Sequence, residues 1–572
     1  MSKINRLEIW GGLECSRVRI GDDIRDQIVD TGHRNRPQDL QLIASLGIKT
    51  LRYPVLWETV SSAPGGQDFS WHDYQLGRLR AAGISPIVGL VHHGSGPGHC
   101  DILDPAFPAS LARHARDVAL RYPWLERFTP INEPMTTARL CGLYGHWYPH
   151  GRDEATCFRI VVSECRAISA CMKELRRVSP TAKLIQTEDI GRVFATESLQ
   201  YQADYENERR WLALDLLAGR VSNGHPFHRR LLDHGVDEGH LEELADHPCI
   251  PDIIGIDHYL TSDRFLDERI ERHPGDVPGG NGRDSYVDIA AARAGVPECE
   301  SGFLPRICEA WERYGLPLAL TEVHNGCTRE EQLRWLMDGW NAANAARNLS
   351  VDVRAVAVWS LFGSTDWNSL LTRRDGFYEP GAFDIRFDPP RPTVIASAAL
   401  ALARSGSFDH PALARSGWWR PDNRYGRPQP IEVSSSGGLE DVLKECCALR
   451  RLDMAEATSP AGEPYATIQA HGGSALHREY EGEPRQLTLT CHYKALAQDS
   501  LVVQFDHSIA AAEAIHAFLD LVIDGTCGWF RVARAGQSQQ LAFERVATSP
   551  PVDAEVELYT RLERPFDVST AA

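Results

Sequence analysis

At 572 residues the chain is long enough for two domains or more, and 43% hydrophobic with 24% charged residues is an ordinary globular balance. A net charge of −18, from 60 basic and 78 acidic side chains, argues against nucleic acid or an anionic membrane surface as partner, because phosphate binding asks for a basic face. No stretch reaches the roughly 20 consecutive apolar residues of a membrane span.

Residues 1–6 show no apolar h-region or cleavage site and lead straight into a strand-like run, so a cytoplasmic location is expected. The 14 cysteines are scattered without a C-x-x-C pair, which predicts reduced thiols and no metal site. Short apolar runs at 7–13, 48–53, 84–91, 128–133, 183–188, 252–258, 317–322 and 354–361 read as strands. Amphipathic stretches at 38–46, 74–82, 110–121, 158–178, 303–314 and 329–346 read as helices between them. Continuous apolar strands alternating with helices predict a parallel sheet covered by helices. Eight such repeats over residues 1–405 predict a (β/α)8 TIM barrel, with longer excursions at 191–249 and 260–299 and a Gly/Pro-rich loop at 274–282.

Residues 406–437 are rich in Pro, Gly, Ser and Arg and read as a linker or a strap. Residues 438–572 read as a second, smaller β-rich domain, with a sandwich among its open forms. Its strand-like runs are 486–493, 501–505, 529–533, 540–546 and 555–562, and helices are predicted at 439–452 and 510–523. No internal repeat is visible. No strand–G-x-G-x-x-G–helix element occurs, so neither a dinucleotide site nor any other cofactor is expected.

Two carboxylates carry the functional reading. Glu133 ends the run Phe128-Thr129-Pro130-Ile131-Asn132-Glu133-Pro134, and Glu322 ends Leu318-Ala319-Leu320-Thr321-Glu322. A glutamate closing an apolar strand needs solvent, a cation or a ligand. Barrel chemistry sits at the C-terminal ends of strands, where His92, Glu133, Glu188, Tyr259, Glu322 and Trp359 all fall. Glycosidic-bond cleavage needs such a pair, one group protonating the leaving oxygen and the other attacking or stabilising the sugar carbon. Glu133 suits the acid/base, given an apolar pocket and a carboxylate neighbour to raise its pKa. Glu322 suits the nucleophile, with Arg52 and Tyr259 as the groups able to hold its charge.

The barrel half resembles glycoside hydrolase family 1. The resemblance rests on six segments in order: Leu51-Arg52-Tyr53-Pro54-Val55-Leu56-Trp57, Gly89-Leu90-Val91-His92-His93, Phe128 to Pro134, Gly255-Ile256-Asp257-His258-Tyr259, Thr321 to Gly326, and Trp359 to Trp367. It implies acid/base on strand four and nucleophile on strand seven of a barrel glycosidase, carboxyl groups about 5–5.5 Å apart and a retaining mechanism. It also implies that Asn132 binds the 2-hydroxyl, His92, Asp366 and Trp367 bind the glycone, and Trp359 is the floor under the sugar ring.

The chain departs from the family where the glycone-binding Gln falls on Val18 with Glu14 nearby, where Asp366 stands for Glu, where Asp257-His258 replaces Asn-Tyr, and in two extra residues after Glu322. These departures point to a sugar other than plain glucose. The barrel is also similar to the glycosidase-like half of bacterial two-part proteins whose other half resembles a dTDP-4-dehydrorhamnose reductase; that half is not seen in this sequence.

Tyr144, Trp147, Glu188 and His324 are expected on the aglycone side, although a rim ion pair for Glu188 and rim packing for the aromatic loop stand beside that reading. The expected activity is hydrolysis of β-glycosides, with a transglycosidase or a catalytically weak glycan-binding protein as alternatives. The expected partner is carbohydrate, and a homo-oligomer formed through the C-terminal domain remains open.

Overall fold

The computed structural model describes residues 6–61, 66–420, 431–436, 440–450, 452, 454–455, 466–471, 473–474, 487–493, 500–506, 508–535, 540–547 and 565–566. Eight parallel strands close into a barrel: β1 (Glu8–Gly12), β2 (Thr50–Pro54), β3 (Ser85–His92), β4 (Arg127–Asn132), β5 (Lys183–Asp189), β6 (Ile253–Asp257), β7 (Leu318–Val323) and β8 (Val353–Val358). Each pairs with the next in chain order, and β8 returns to β1. The eight runs expected from sequence are these strands, shifted by a few residues at most.

The strands form because their residues are apolar on both faces: Val88, Leu90, Leu318, Leu320, Val353 and Val356 are fully buried. Inside the barrel, Trp10, Ile87 and Ile185 meet the small side chains Ala319, Ala355 and Ala357, so large and small residues fill one layer together. Outside, the helices Phe107–Arg121 and Glu154–Val178 cover the strands. The second starts where Asp153 accepts from the Thr156 N–H. The excursions after β5 and β6 build a four-stranded sheet from Val193–Ala195, Arg264–Asp267, Gly279–Gly280 and Ser285–Ala290. Part of the stretch read as a Gly/Pro-rich loop is therefore a strand of that sheet.

Contacts group the chain into two compact units. One comprises Met1–Asn325, Leu336–Arg373 and Leu402–Gly406, and holds all eight barrel strands. The other comprises Gly326–Trp335, Arg374–Ala401 and Ser407–Ala572.

The second unit is built on one mixed sheet of seven strands: β9 (Ile431–Ser436), β10 (Met454–Ala455), β11 (Ala466–His471), β12 (Leu487–Tyr493), β13 (Ser500–Phe505), β14 (Gly528–Arg534) and β15 (Leu541–Ala547). Their order is β10-β9-β11-β12-β13-β14-β15. The described residues thus give one large sheet carrying the helices Glu440–Leu449 and Ala511–Ile523, with the short pairs Phe383–Asp384/Arg391–Pro392 and Gly473–Ser474/Pro565–Phe566 besides, not two large facing sheets. Leu443, Cys447, Ile515, Phe518 and Val522 from those helices pack on Ile468, Leu489, Val503 and Phe530. Apolar helix faces do here what a second sheet does in a sandwich.

The topology repeats although the sequence shows no repeat. A strand, a helix, a parallel strand and an antiparallel strand occur in order as β9, Glu440–Leu449, β11 and β12, with the short edge strand β10 before β11, and again as β13, Ala511–Ile523, β14 and β15. The strand expected at 555–562 lies outside the described residues. Within the stretch read as a linker, Ile431–Ser436 is the strand β9. No described helix is long and apolar enough to cross a membrane.

Candidate active site

The C-terminal ends of the barrel strands converge on one buried polar cluster. Strand register sets its members at one level: His92 of β3 pairs with Asn132 of β4, and Asp257 of β6 pairs with Glu322 of β7. A register irregularity in β7 between Leu320 and Glu322 re-aims the strand just before the glutamate. At the tip of β1, a Cβ on Gly12 would stand 2.5 Å from ring carbons of Trp359, so only glycine admits that ring. Glu133 (φ 43°), His93 (φ 55°) and Asp366 (φ 60°) hold left-handed backbone, a strained state for residues with side chains.

Arg52 ties the cluster together. Its Nη1 donates to Glu322 Oε1 at 2.7 Å and to the Thr321 carbonyl at 2.9 Å, and its Nη2 donates to Asn132 Oδ1 at 2.6 Å. The guanidinium stands 3.7 Å from Asp257 and 4.6 Å from the centre of the Trp359 ring. The Tyr259 hydroxyl donates to the other Glu322 oxygen. Asn132 is held further by Thr187 Oγ1 at 2.7 Å, and its Nδ2 faces His92 and His93 at 3.3 and 3.4 Å.

Carboxyl oxygens of Glu133, Asp257 and Glu322 lie within 4.8 Å of one another, and all three side chains are buried. Burial, then the charges of Asp257 and Glu322, push Glu133 well above the usual carboxylate range. Burial and Asp257 raise Glu322 as well, but Arg52 and the Tyr259 hydroxyl oppose them. With two donors on it, Glu322 is the member of the set best able to keep a negative charge. Burial drives His92 well below its ordinary pKa and His93 down to about 3, so both imidazoles are neutral. The three carboxyls are the acidic set dense enough to hold a cation among the described residues. The adjacent Arg52 guanidinium already supplies their positive charge, so this donor set does not call for a metal.

An aromatic wall closes the other side. Trp359 stacks with His92 at 5.7 Å and 12°. Trp367 meets His93 at 5.9 Å and Trp147 at 6.1 Å. Asp366 is buried and already engaged, accepting from Arg25 Nη2 at 2.7 Å. Beside Glu133 opens a cleft of about 320 Å³ lined by Met135, Arg139, Tyr144, Asp189, Arg209 and Thr261, among others.

Two residues expected on the aglycone side are elsewhere. Glu188 is buried and points away from the barrel interior; its carboxylate accepts from the N–H of Met135 and Thr136 at 2.8 and 3.2 Å, capping the short helix Pro134–Ala138 that follows Glu133. Burial raises its pKa to about 8. Trp147 is buried behind His93 and Trp367, with its Nε1 donating to the Leu370 carbonyl, and does not line the cleft. Tyr144 does line it and is 42% exposed. His324 is half-buried, two residues beyond Glu322.

The structure adds residues that sequence reasoning left out of the site. Asp257 joins the carboxylate set, and His93 stands 4.0 Å from Glu133. Glu14 is buried with its carboxylate accepting from the Ser16 N–H, close enough to Trp359 and Glu322 to interact with both. Val18, where the resemblance led one to expect a glutamine, is fully buried.

No protein-family model matches the sequence. A 6-phospho-beta-glucosidase from Dickeya chrysanthemi is 23% identical over 283 residues, covering 44% of this chain and 57% of that protein, so the chain matches little more than half of that relative's length. Among solved structures, a beta-glucosidase from Thermotoga maritima in complex with azafagomine superposes with a TM-score of 0.58 at 15% identity, covering 72% of this chain and 99% of that one. The family 1 β-glucosidase from the same organism superposes with a TM-score of 0.57, again at 15% identity and with the same coverage. The chain therefore shares the barrel fold of family 1 β-glucosidases and a stretch of sequence similarity with a 6-phospho-β-glucosidase.

Proposed function

We propose that the chain is a glycoside hydrolase that cleaves β-glycosidic bonds of small glycosides or oligosaccharide ends by the retaining route. One observation carries this reading: Glu322, held by Arg52 and Tyr259, faces a Glu133 whose carboxyl is pushed toward the protonated form, with oxygens within 4.8 Å. That spacing suits direct attack by one carboxylate and is shorter than the separation an inverting pair keeps.

In the first step Glu322 attacks the anomeric carbon while Glu133 gives its proton to the departing oxygen. In the second, water attacks the glycosyl–Glu322 ester and Glu133 takes the water's proton. Trp359 supplies the apolar floor, and Asn132, whose amide nitrogen faces His92 and His93, is placed to hold a ring hydroxyl. The neutral imidazoles of His92 and His93 offer further hydroxyl contacts without adding charge.

Aryl β-glycosides of several sugars, with leaving groups of graded pKa, test this. In kcat/KM, which reports the first step, Glu133→Gln should lose steeply on poor leaving groups and little on the best one, because only a poor leaving group needs the proton, while kcat falls throughout for want of the base. Equal loss across the series would refute the acid role. The first-formed product, followed by proton NMR, should be the β-anomer; an α-anomer would mean inversion. The cleft beside Glu133, with the exposed Tyr144 on it, offers room for a sugar acceptor in place of water. Product analysis in the presence of added sugars separates transfer from hydrolysis.

A further inference from the structure

The third carboxylate, Asp257, has no task in the mechanism above. It is fully buried, and its Oδ1 accepts from the Thr321 hydroxyl at 2.6 Å. Its Oδ2 is buried with no donor reaching it from any N–H or hydroxyl. Such an orphan carboxylate oxygen is costly, and a proton on a neighbouring acid is what would satisfy it. The neighbour is Glu133, whose carboxyl oxygen lies within the same 4.8 Å cluster.

We infer that Asp257 is a positioning residue for Glu133: its Oδ2 accepts the hydrogen bond from the protonated Glu133 carboxyl and holds that proton in place until the leaving group takes it. The inference rests on the hydrolase reading only for what the proton then does.

When Glu133 gives its proton to the glycosidic oxygen, the C–O bond breaks and the leaving group departs as an alcohol. Glu133 is then an anion beside the Asp257 anion. Like charges this close disfavour each other, so Glu133 is driven to take a proton back. The proton available is that of the incoming water, whose oxygen bonds to the anomeric carbon as the ester to Glu322 breaks. One residue thereby raises the acid's pKa before the first step and its strength as a base in the second.

The groups facing this pair are Arg52 from β2, His92 and His93 from β3, Asp189 from β5, Tyr259 beyond β6, and Glu322 from β7. Arg52 is the cation among them and lies nearer to Glu322, at 2.7 Å, than to Asp257, at 3.7 Å. Both imidazoles are neutral. The remaining acids add to the repulsion and do not replace Asp257 as the acceptor.

Infrared difference titration of the protein without substrate follows buried carboxylic-acid carbonyl bands directly. The band lost in Glu133→Gln is the Glu133 proton. In Asp257→Asn, which keeps an oxygen for Thr321 and removes the charge, that band should titrate lower by about one pH unit or more, a tenfold change in the ionisation equilibrium. In turnover, the alkaline limb of kcat/KM should move the same way. An unmoved band overturns the inference. Should Asp257→Asn fail to fold, Glu133→Leu gives the reciprocal measurement: Asp257 should titrate higher, because the hydrogen bond from the protonated Glu133 carboxyl that favours its anion is gone. Unmoved bands there overturn it equally. A coupled titration in a protein that turns over no glycoside would support the proton pair and count against the hydrolase reading, so the two failures differ.

Discussion

Removing the charge of Arg52 is the perturbation with the most calculable consequence. Arg52 is 5% exposed, donates to Glu322 at 2.7 Å and stands 3.7 Å from Asp257. Arg52→Met keeps most of the aliphatic stem and deletes the guanidinium. Two unit charges whose centres lie about 4 Å apart attract by about 4 kcal/mol at an effective dielectric of 20. At 1.36 kcal/mol per unit, that loss raises the Glu322 pKa by about 3 units. The group gains its proton more readily once the cation is gone, so less of it is ionised at neutral pH and the acid limb of the kcat/KM profile moves up. Activity at pH 7 should fall, by no more than the roughly thousandfold that three pH units allow, and recover in part toward alkaline pH. Stability should fall by about 3–5 kcal/mol, the usual cost of orphaning a buried charge, less whatever proton uptake recovers. The assay is a pH–rate profile on an activated glycoside together with urea unfolding. An acid limb that does not move, with activity within tenfold of wild type, would refute the claim that Arg52 holds the nucleophile's charge.

Other variants test the packing around the site. Glu164, on the helix Glu154–Val178, is fully buried with both carboxyl oxygens unpartnered, and burial raises its pKa well above the ordinary range. Glu164→Leu should stabilise the fold by about 1–3 kcal/mol at pH 7 in urea unfolding; a less stable variant would show that the carboxyl has a partner. Because its folded-state pKa is raised, the wild type loses stability as pH rises past the ordinary glutamate range, and the variant should lose that slope. Arg25→Met removes the 2.7 Å ion pair to the buried Asp366 and the guanidinium donor to the carbonyls of Leu371 and Arg373. It should cost about 3–5 kcal/mol in thermal or urea unfolding, and a loss below 1 kcal/mol would show that Asp366 does not depend on it.

The barrel was legible because its strands are unbroken apolar runs set between amphipathic helices, a pattern few folds produce. Glu133, Glu322, Arg52 and Tyr259 were legible because each lies at or near the end of such a run. Face was harder to read than position. In β5, Thr187 turns inward to Asn132 while its neighbour Glu188 turns outward to cap a helix; side chains alternate with period two, so a one-residue offset reverses the assignment. The same rule could have found Asp257, which stands two residues before Tyr259 and shares its inward face. The Arg25–Asp366 pair had no local signal, since its members are 341 positions apart. In the second unit, β9 was hidden by the serines of Ile431-Glu432-Val433-Ser434-Ser435-Ser436, which read as loop and pair as strand only because β10 and β11 flank them.

The retaining chemistry is tested most directly by intact mass after incubation with activated 2-deoxy-2-fluoro β-glycosides of several sugars, with Glu322→Gln as control. The account predicts one added glycosyl mass, mapped by peptide digestion to Glu322 and absent from the control. An adduct on any other residue, or none from a sugar whose aryl glycoside the protein turns over, would contradict it.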